Sequence, residues 1–303
     1  MIQRSYEWEE LVDIPGLHDL VQATVTGLLL GGLFALTALG LSLVVGVMRL
    51  VNLVHGEIAL LGGYASLLLL NQVGLDPLLG LPLIAAVVAL LAVPLQRLLL
   101  QPLSRHGSEA PLLTTFALSV IAQNVIILWF TGNTQSIDRS YTRAVIRMGD
   151  VTVPAIYLIS FGISVLACIC VHLLITRSGF GRRLRAASED PVAASVVGVR
   201  VGGLHTVTYA LAAGVAAIGG ALLGMCFSFT PTSGVNHLLT GFIVVVLGGL
   251  GSVKGTLLAG TALGVVESWG AAFASDGYRL FVGLLLLLAV LTIRPQGLFG
   301  RSA

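Results

Sequence analysis

Hydrophobic positions run along this chain in long unbroken stretches rather than in alternation. Apolar segments occupy roughly 20–47, 52–70, 80–99, 112–131, 154–175, 206–229, 238–249, 256–273 and 279–293. Short polar or Gly/Pro breaks separate them, at Arg49–Asn52, Asn71–Pro77, Gln101–Pro111, Gly132–Pro154, Arg177–Arg200, Pro231–His237, Gly248–Gly255 and Ala274–Arg279. Continuous runs of this length read as membrane-spanning helices. A transmembrane barrel needs alternating residues, which Leu81–Leu100 does not have. The expected fold is all-α, a polytopic transmembrane bundle of eight or nine spans.

The count depends on 238–273. Gly241–Leu247 alone is too short to cross about 30 Å of hydrocarbon. It is joined to the next segment by the Gly-rich G-G-L-G-S-V-K-G. Two readings stand: a broken or re-entrant helix of the kind found at transport sites, or a tight hairpin between ordinary spans. One further element is expected from V-I-R-M-G-D-V-T-V, whose alternation predicts a small hairpin within the Gly132–Pro154 loop.

Composition agrees with the pattern. Of 303 residues, 56% are hydrophobic and 10% charged, against about 25% charged in a soluble domain. The 37 Gly suit close helix packing in lipid. The net charge of +2 is less informative than its distribution. With alternating loops, Arg4, Arg139, Arg143, Arg147 and Arg279 fall on one side. The other 11 of the 16 Lys+Arg fall on the opposite side, which the positive-inside rule makes cytoplasmic. The N-terminus is then outside and the C-terminus inside. Residues 1–19 form an extracytoplasmic N-terminal segment, and 20–303 a transmembrane domain that includes a cytoplasmic loop at 177–200. The acidic, aromatic N-terminus lacks the basic region of a signal peptide. It reads as a short interfacial helix or as a partly disordered segment.

The Arg177–Arg200 island carries five Arg between two apolar segments. Asp190-Pro191 is a helix start, because Asp caps free amides and Pro fits the first turn. Gly198 permits a left-handed stop. A helix of about two turns at the membrane surface suits docking of another protein. Within the apolar stretches, Asn52, His55 and Glu57 form a compact polar group, N-L-V-H-G-E. It reads either as a hydrated turn or as a group facing the bundle, with His55 and Glu57 partnering each other or a cation from another helix; a carboxylate in hydrocarbon is expensive. Glu267 reads as an interfacial residue beside Trp269, or as bundle-facing. Gln123 and Asn124 read best as interhelical hydrogen-bond partners, with pathway lining the alternative. Cys168, Cys170 and Cys226 are packing residues, Cys168 and Cys170 lying on different helix faces; no metal site is expected. The pattern G-x-x-x-x-G-K-[ST] is absent, as are H-E-x-x-H and G-x-S-x-G. Nucleotide hydrolysis and enzyme catalysis are not expected of this chain, and no cofactor is implied.

Three segments together resemble the permease subunits of bacterial branched-chain amino-acid ABC importers, the LivH type. They are Gly27–Ala65, which contains N-L-V-H-G-E; Gly179–Val199, which contains G-R-R-L-R-A-A-S-E-D-P; and Val244–Glu267. The resemblance implies an ATP-driven importer of branched-chain or similar hydrophobic amino acids in the bacterial inner membrane. Its partners would be a second related permease, two ATPase subunits and an extracytoplasmic solute-binding protein, with no nucleic acid. It implies that the 177–200 loop enters a cleft of the ATPase, with Arg182, Arg183, Arg185, Glu189, Asp190, Pro191, Ala193, Ala194 and Gly198 in the coupling region. Ala193-Ala194-x-x-x-Gly198 echoes the importer loop signature, but Val192 stands where its leading Glu would be. Glu189 and Asp190 are the nearby acids. Alternatives are an ABC permease for urea or short amides, and an ion-coupled secondary transporter using His55, Glu57 and Glu267 as a relay.

Overall fold

The computed structural model describes residues 16–104, 107, 109–294 and 296–298. The N-terminal segment before Gly16, Arg105 and Arg301 lie outside the described residues. The chain is a bundle of helices: α1 (Leu17–Met48), α2 (His55–Leu68, prolonged by a wider π turn to Val73), α3 (Pro77–Leu103), α4 (Glu109–Phe130), α5 (Ala155–Arg177), α6 (Gly179–Glu189), α7 (Pro191–Val196), α8 (Val201–Cys226), α9 (Ser233–Gly248), α10 (Val253–Phe273) and α11 (Arg279–Ile293).

Among the described residues, seven helices are long and apolar enough to cross a membrane. The expected eight or nine included the apolar segments at 52–70 and 238–249. Both are helical, as α2 and α9, but short. At 1.5 Å per residue, the 16 residues of α9 reach about 24 Å, less than the hydrocarbon thickness. Residues 238–273 are helical on both sides of the Gly-rich break. α9 and α10 are joined by Gly249–Ser252, and Gly248 packs on the backbone of Gly255.

α1 and α8 form the centre of the bundle, and both are mostly buried. α10 lies antiparallel along α1, with Gly31 of α1 against the Gly260 carbonyl and Gly264 against Gly27 and Gly31. A Cβ at either position would collide with backbone. Small residues therefore let these helices approach where lipid supplies no hydrophobic drive for association. α2 packs on α8 in the same way, Gly62 against Ala217 and Gly220 against Ala59. α4 and α11 lie at the periphery and are mostly exposed.

One end of the bundle holds the Arg177–Arg200 island and the α9–α10 turn; it is termed here the basic end. The opposite end carries the expected hairpin, β1 (Val145–Met148) antiparallel to β2 (Val151–Pro154), with Val145 opposite Pro154. Its two-residue turn puts Gly149 at φ +65°, the left-handed conformation such turns demand. Nearby, Gln135 and Phe229 exchange backbone hydrogen bonds of 2.8 and 2.9 Å, tying this loop to the chain between α8 and α9. The Arg143 guanidinium hydrogen-bonds Asp138 and holds its carboxyl below the usual range. Burial and the neighbouring Asp76 push Tyr141 up to about 12.

Candidate functional site

Two regions collect the residues singled out from the sequence. The first is the loop at the basic end. Asp190 is the N-cap of α7, its Oδ1 accepting from the amides of Val192 at 2.8 Å and Ala193 at 3.0 Å, with Pro191 at the first helical position. Gly198 ends the helix at φ +87°. The stop and start lie at the expected residues, although α7 is shorter than two turns.

The sequence reading missed α6. Its signal was Ser178, whose Oγ accepts from the Gly181 amide at 3.0 Å, an N-cap directly before the basic run. Leu184 and Ala187 face inward and meet Ala194 and Leu204. Spacing of three residues places Gly181, Leu184 and Ala187 on one buried face, so Arg182, Arg183 and Arg185 are exposed. Arg183 Nε donates to the Gly179 carbonyl at 3.2 Å, and Arg185 donates to that of Ile175. Glu189, Asp190, Pro191 and Ala193 are exposed and Ala194 is buried. α7 therefore stands out from the bundle with Val192 (73% exposed), Val196 (81%) and Val197 (78%) around its tip.

The second region lies inside the bundle. The chain between α1 and α2 does not stay at the end of the molecule. Asn52 Nδ2 donates to the Tyr209 hydroxyl at 3.2 Å, and the Leu53 amide donates to Thr115 Oγ1 at 3.2 Å. Tyr209 and Thr115 sit two turns inside α8 and α4, so the turn is sunk into the bundle. His55 Nε2 lies 3.0 Å from the Thr37 carbonyl, which only accepts, so this nitrogen carries the hydrogen. Glu57 is 1% exposed. Its Oε1 accepts from Ser119 Oγ at 3.5 Å, its Oε2 has no partner, and its carboxylate rests against Gly234 in the first turn of α9.

The hydrated-turn reading is thereby overturned, because Asn52, His55 and Glu57 are all buried. His55 and Glu57 do not partner each other, and no ion pair to Glu57 occurs among the described residues. His55 points to α1 while Glu57, two residues on, points to α4 and α9. Tyr209, Thr115, Ser119 and Gly234 were missed. Each is a single polar or small residue in an apolar run, and nothing local marks which other helix it meets.

Glu267 is 4% exposed and faces Gly283 of α11, its Oε1 without a partner. It is bundle-facing; Trp269, 42% exposed, is the residue at the surface, donating to Thr24 Oγ1 at 2.9 Å. Asn124 is exposed and donates to the Val120 carbonyl of its own helix at 2.8 Å, and Gln123 is half-buried. The expectation that this pair bridges helices fails for Asn124 within this chain, because α4 is peripheral and Asn124 points away from the bundle. Cys168 is buried and Cys170 exposed, on different faces as expected.

Among the described residues, seven apolar spans, an exposed capped loop at one end and buried polar groups inside make this a polytopic membrane bundle. The family model described as "Branched-chain amino acid transport system / permease component" matches residues 23–291, and this chain belongs to that family. The chain is 31% identical to the high-affinity branched-chain amino acid transport system permease protein BraD of Pseudomonas aeruginosa, covering 95% of this chain and 98% of that protein. It is 28% identical to LivH of Escherichia coli, a permease of the same description, over 93% and 96%. The ribose import permease RbsC of Bacillus subtilis is 29% identical over 63% and 61%. No solved structure matches.

Proposed function

We propose that this chain is the permease subunit of an ATP-driven importer for branched-chain or similar hydrophobic amino acids in the bacterial inner membrane. It would work with a second related permease, two ATPase subunits and an extracytoplasmic solute-binding protein. The observation that carries the reading is the exposed α7 tip in a chain of this permease family. A short helix capped at its start, stopped by a left-handed Gly and anchored through Ala194 is held in place before any partner docks, so it can transmit displacement when an ATPase cleft grips Val192, Val196 and Val197. Arg182, Arg183, Arg185 and Glu189 surround it with charges that steer docking. Leu184, Ala187 and Ala194 tie the helix to α8 through Leu204. Movement of α7 is thus passed to a central helix, and alternating access follows from a shift of α8 against α1 and α2. In this reading the buried group at Asn52, His55 and Glu57 lies on the moving contact between α2, α4 and α9, and Glu267 on that between α10 and α11.

The basic end would be cytoplasmic. Single cysteines at Ser188 and Ser140 should label from opposite faces, and labelling of Ser188→Cys from outside intact cells overturns the orientation. For the mechanism, the chain is reconstituted with its ATPases, partner permease and binding protein. Uptake should persist when the proton gradient is collapsed with ATP maintained. Gradient-dependent uptake by this chain alone rejects the importer reading in favour of a secondary transporter.

A further inference from the structure

We propose that a groove at the basic end, between α5, α6 and the start of α10, binds the phosphate of an anionic phospholipid headgroup. The cavity measures about 510 Å³ and is lined by His172, Arg185, Ser188, Leu250, Ser252 and Lys254, with Ile175, Thr176, Val253 and two glycines completing its wall. Among the described residues, none that lines it is acidic. Arg185 spends one N–H on the Ile175 carbonyl, leaving the rest of its fork of five donors. The floor is the first turn of α10. Ser252 caps it by accepting from the Gly255 amide at 3.0 Å. The amides of Val253 and Lys254 make no hydrogen bond among the described residues. His172, Arg185 and Lys254, each able to donate to an oxyanion, thus line the same groove as a helix start whose first amides are unpaired, a donor set matched to phosphate.

The surroundings favour a lipid over a free anion. The cavity sits at the ends of α5 and α10, where headgroups of the adjoining leaflet lie. Lys254 and Leu258 are one turn apart on the same face of α10, and both are exposed. Ile169 of α5, one turn from His172 on the side away from the basic end, is also exposed. An acyl chain can follow this apolar surface from the groove into the bilayer, whereas inorganic phosphate gains nothing from it. Basic pockets between membrane helices are known to take such headgroups. The proposal is independent of the transported substrate.

The test uses the full chain, delipidated in detergent and titrated with phosphatidylglycerol or phosphatidylcholine, bound lipid being counted by native mass spectrometry. One phosphatidylglycerol per chain should bind in preference to phosphatidylcholine. Lys254→Gln should weaken it about fivefold, the effect of one cation near a lipid surface. Lys254→Arg should retain it. Arg200→Gln, an exposed charge outside the groove, should leave it unchanged. Lys254 is exposed, so its variants keep the fold; His172→Asn gives a second, smaller loss. Equal binding of the two lipids, or equal losses in Lys254→Gln and Arg200→Gln, overturns the site. So does Lys254-dependent binding of inorganic phosphate that displaces phosphatidylglycerol, which makes it a free-anion site. Expulsion of the lipid when the ATPase pair assembles assigns the groove to ATPase carboxylates and equally overturns it.

Discussion

The α6–α7 loop and the buried turn at Asn52–Glu57 are both polar interruptions of an apolar chain, and they are built by opposite means. In the loop, the helix caps come from residues within three positions of each other: Ser178 with Gly181, Asp190 with Val192 and Ala193. In the turn, nearly every polar partner comes from another helix, more than 15 residues away: Thr37, Thr115, Ser119 and Tyr209. A locally determined element can stand in water and be gripped from outside. A tertiary one exists only when the bundle is assembled, and any change in helix packing reaches it.

The largest effect should separate the two regions outright. Gly220→Leu drives a side chain into the Ala59 carbonyl beneath the buried turn. No flexible neighbour can yield there, so the cost should exceed the usual 1–3 kcal/mol of overpacking. We expect loss of inserted, monodisperse protein on size-exclusion chromatography. A normally folded variant means the α2–α8 contact is looser than the structure has it. Replacing Gly198 with Val strains the loop instead, since φ +87° is poorly open to a β-branched residue. Combined with Asp190→Ala, which removes a cap worth about 1 kcal/mol, it should leave insertion intact. Uptake and substrate-stimulated ATP hydrolysis should both fall. Wild-type coupling in that double variant removes α7 from the coupling path.

Glu57→Gln sharpens the comparison from the other side. The residue types alone promised a charged hydrogen-bond partner worth about 1.5–3 kcal/mol. The geometry changes the expectation, because the one bond, from Ser119, is 3.5 Å long and Oε2 has none. Removing a poorly partnered buried carboxylate should leave the melting temperature unchanged or raised, while uptake falls. A lowered melting temperature that Ser119→Ala fails to reproduce points to a partner supplied by another subunit.

The smallest effect belongs to the exposed Asp138–Arg143 pair at the hairpin end. Asp138 is held below the usual carboxylate range, so its contribution is present above about pH 4. It fades as pH falls through the depressed value. Protection of the Ala144 and Ala155 amides against hydrogen exchange, measured relative to the intrinsic rate at each pH, should fall only in that acid range; they donate to the Ser140 and Ala144 carbonyls at 3.0 and 2.8 Å. Loss of that protection between pH 6 and 8 contradicts the assignment.

The apolar runs by themselves determined an all-helical membrane bundle, because uninterrupted hydrocarbon leaves a backbone no partners but its own. The β1–β2 hairpin and the bounds of α7 were equally legible, since alternation, a capping Asp and a stopping Gly act within a few residues. The same local view missed α6, whose Ser178 cap is less distinctive than Asp-Pro. It also treated Gln123-Asn124 as bridging, although Asn124 satisfies itself on its own helix. Only the tertiary structure decided that Asn52, His55 and Glu57 are buried rather than hydrated, that His55 and Glu57 diverge, and that Glu267 faces α11. Those outcomes depend on which glycines meet across α1, α2, α8 and α10, and how far each pair sinks the turns between them. Each spanning helix is apolar nearly all round, so its sequence does not mark which face will meet a neighbour, and that choice is made by packing.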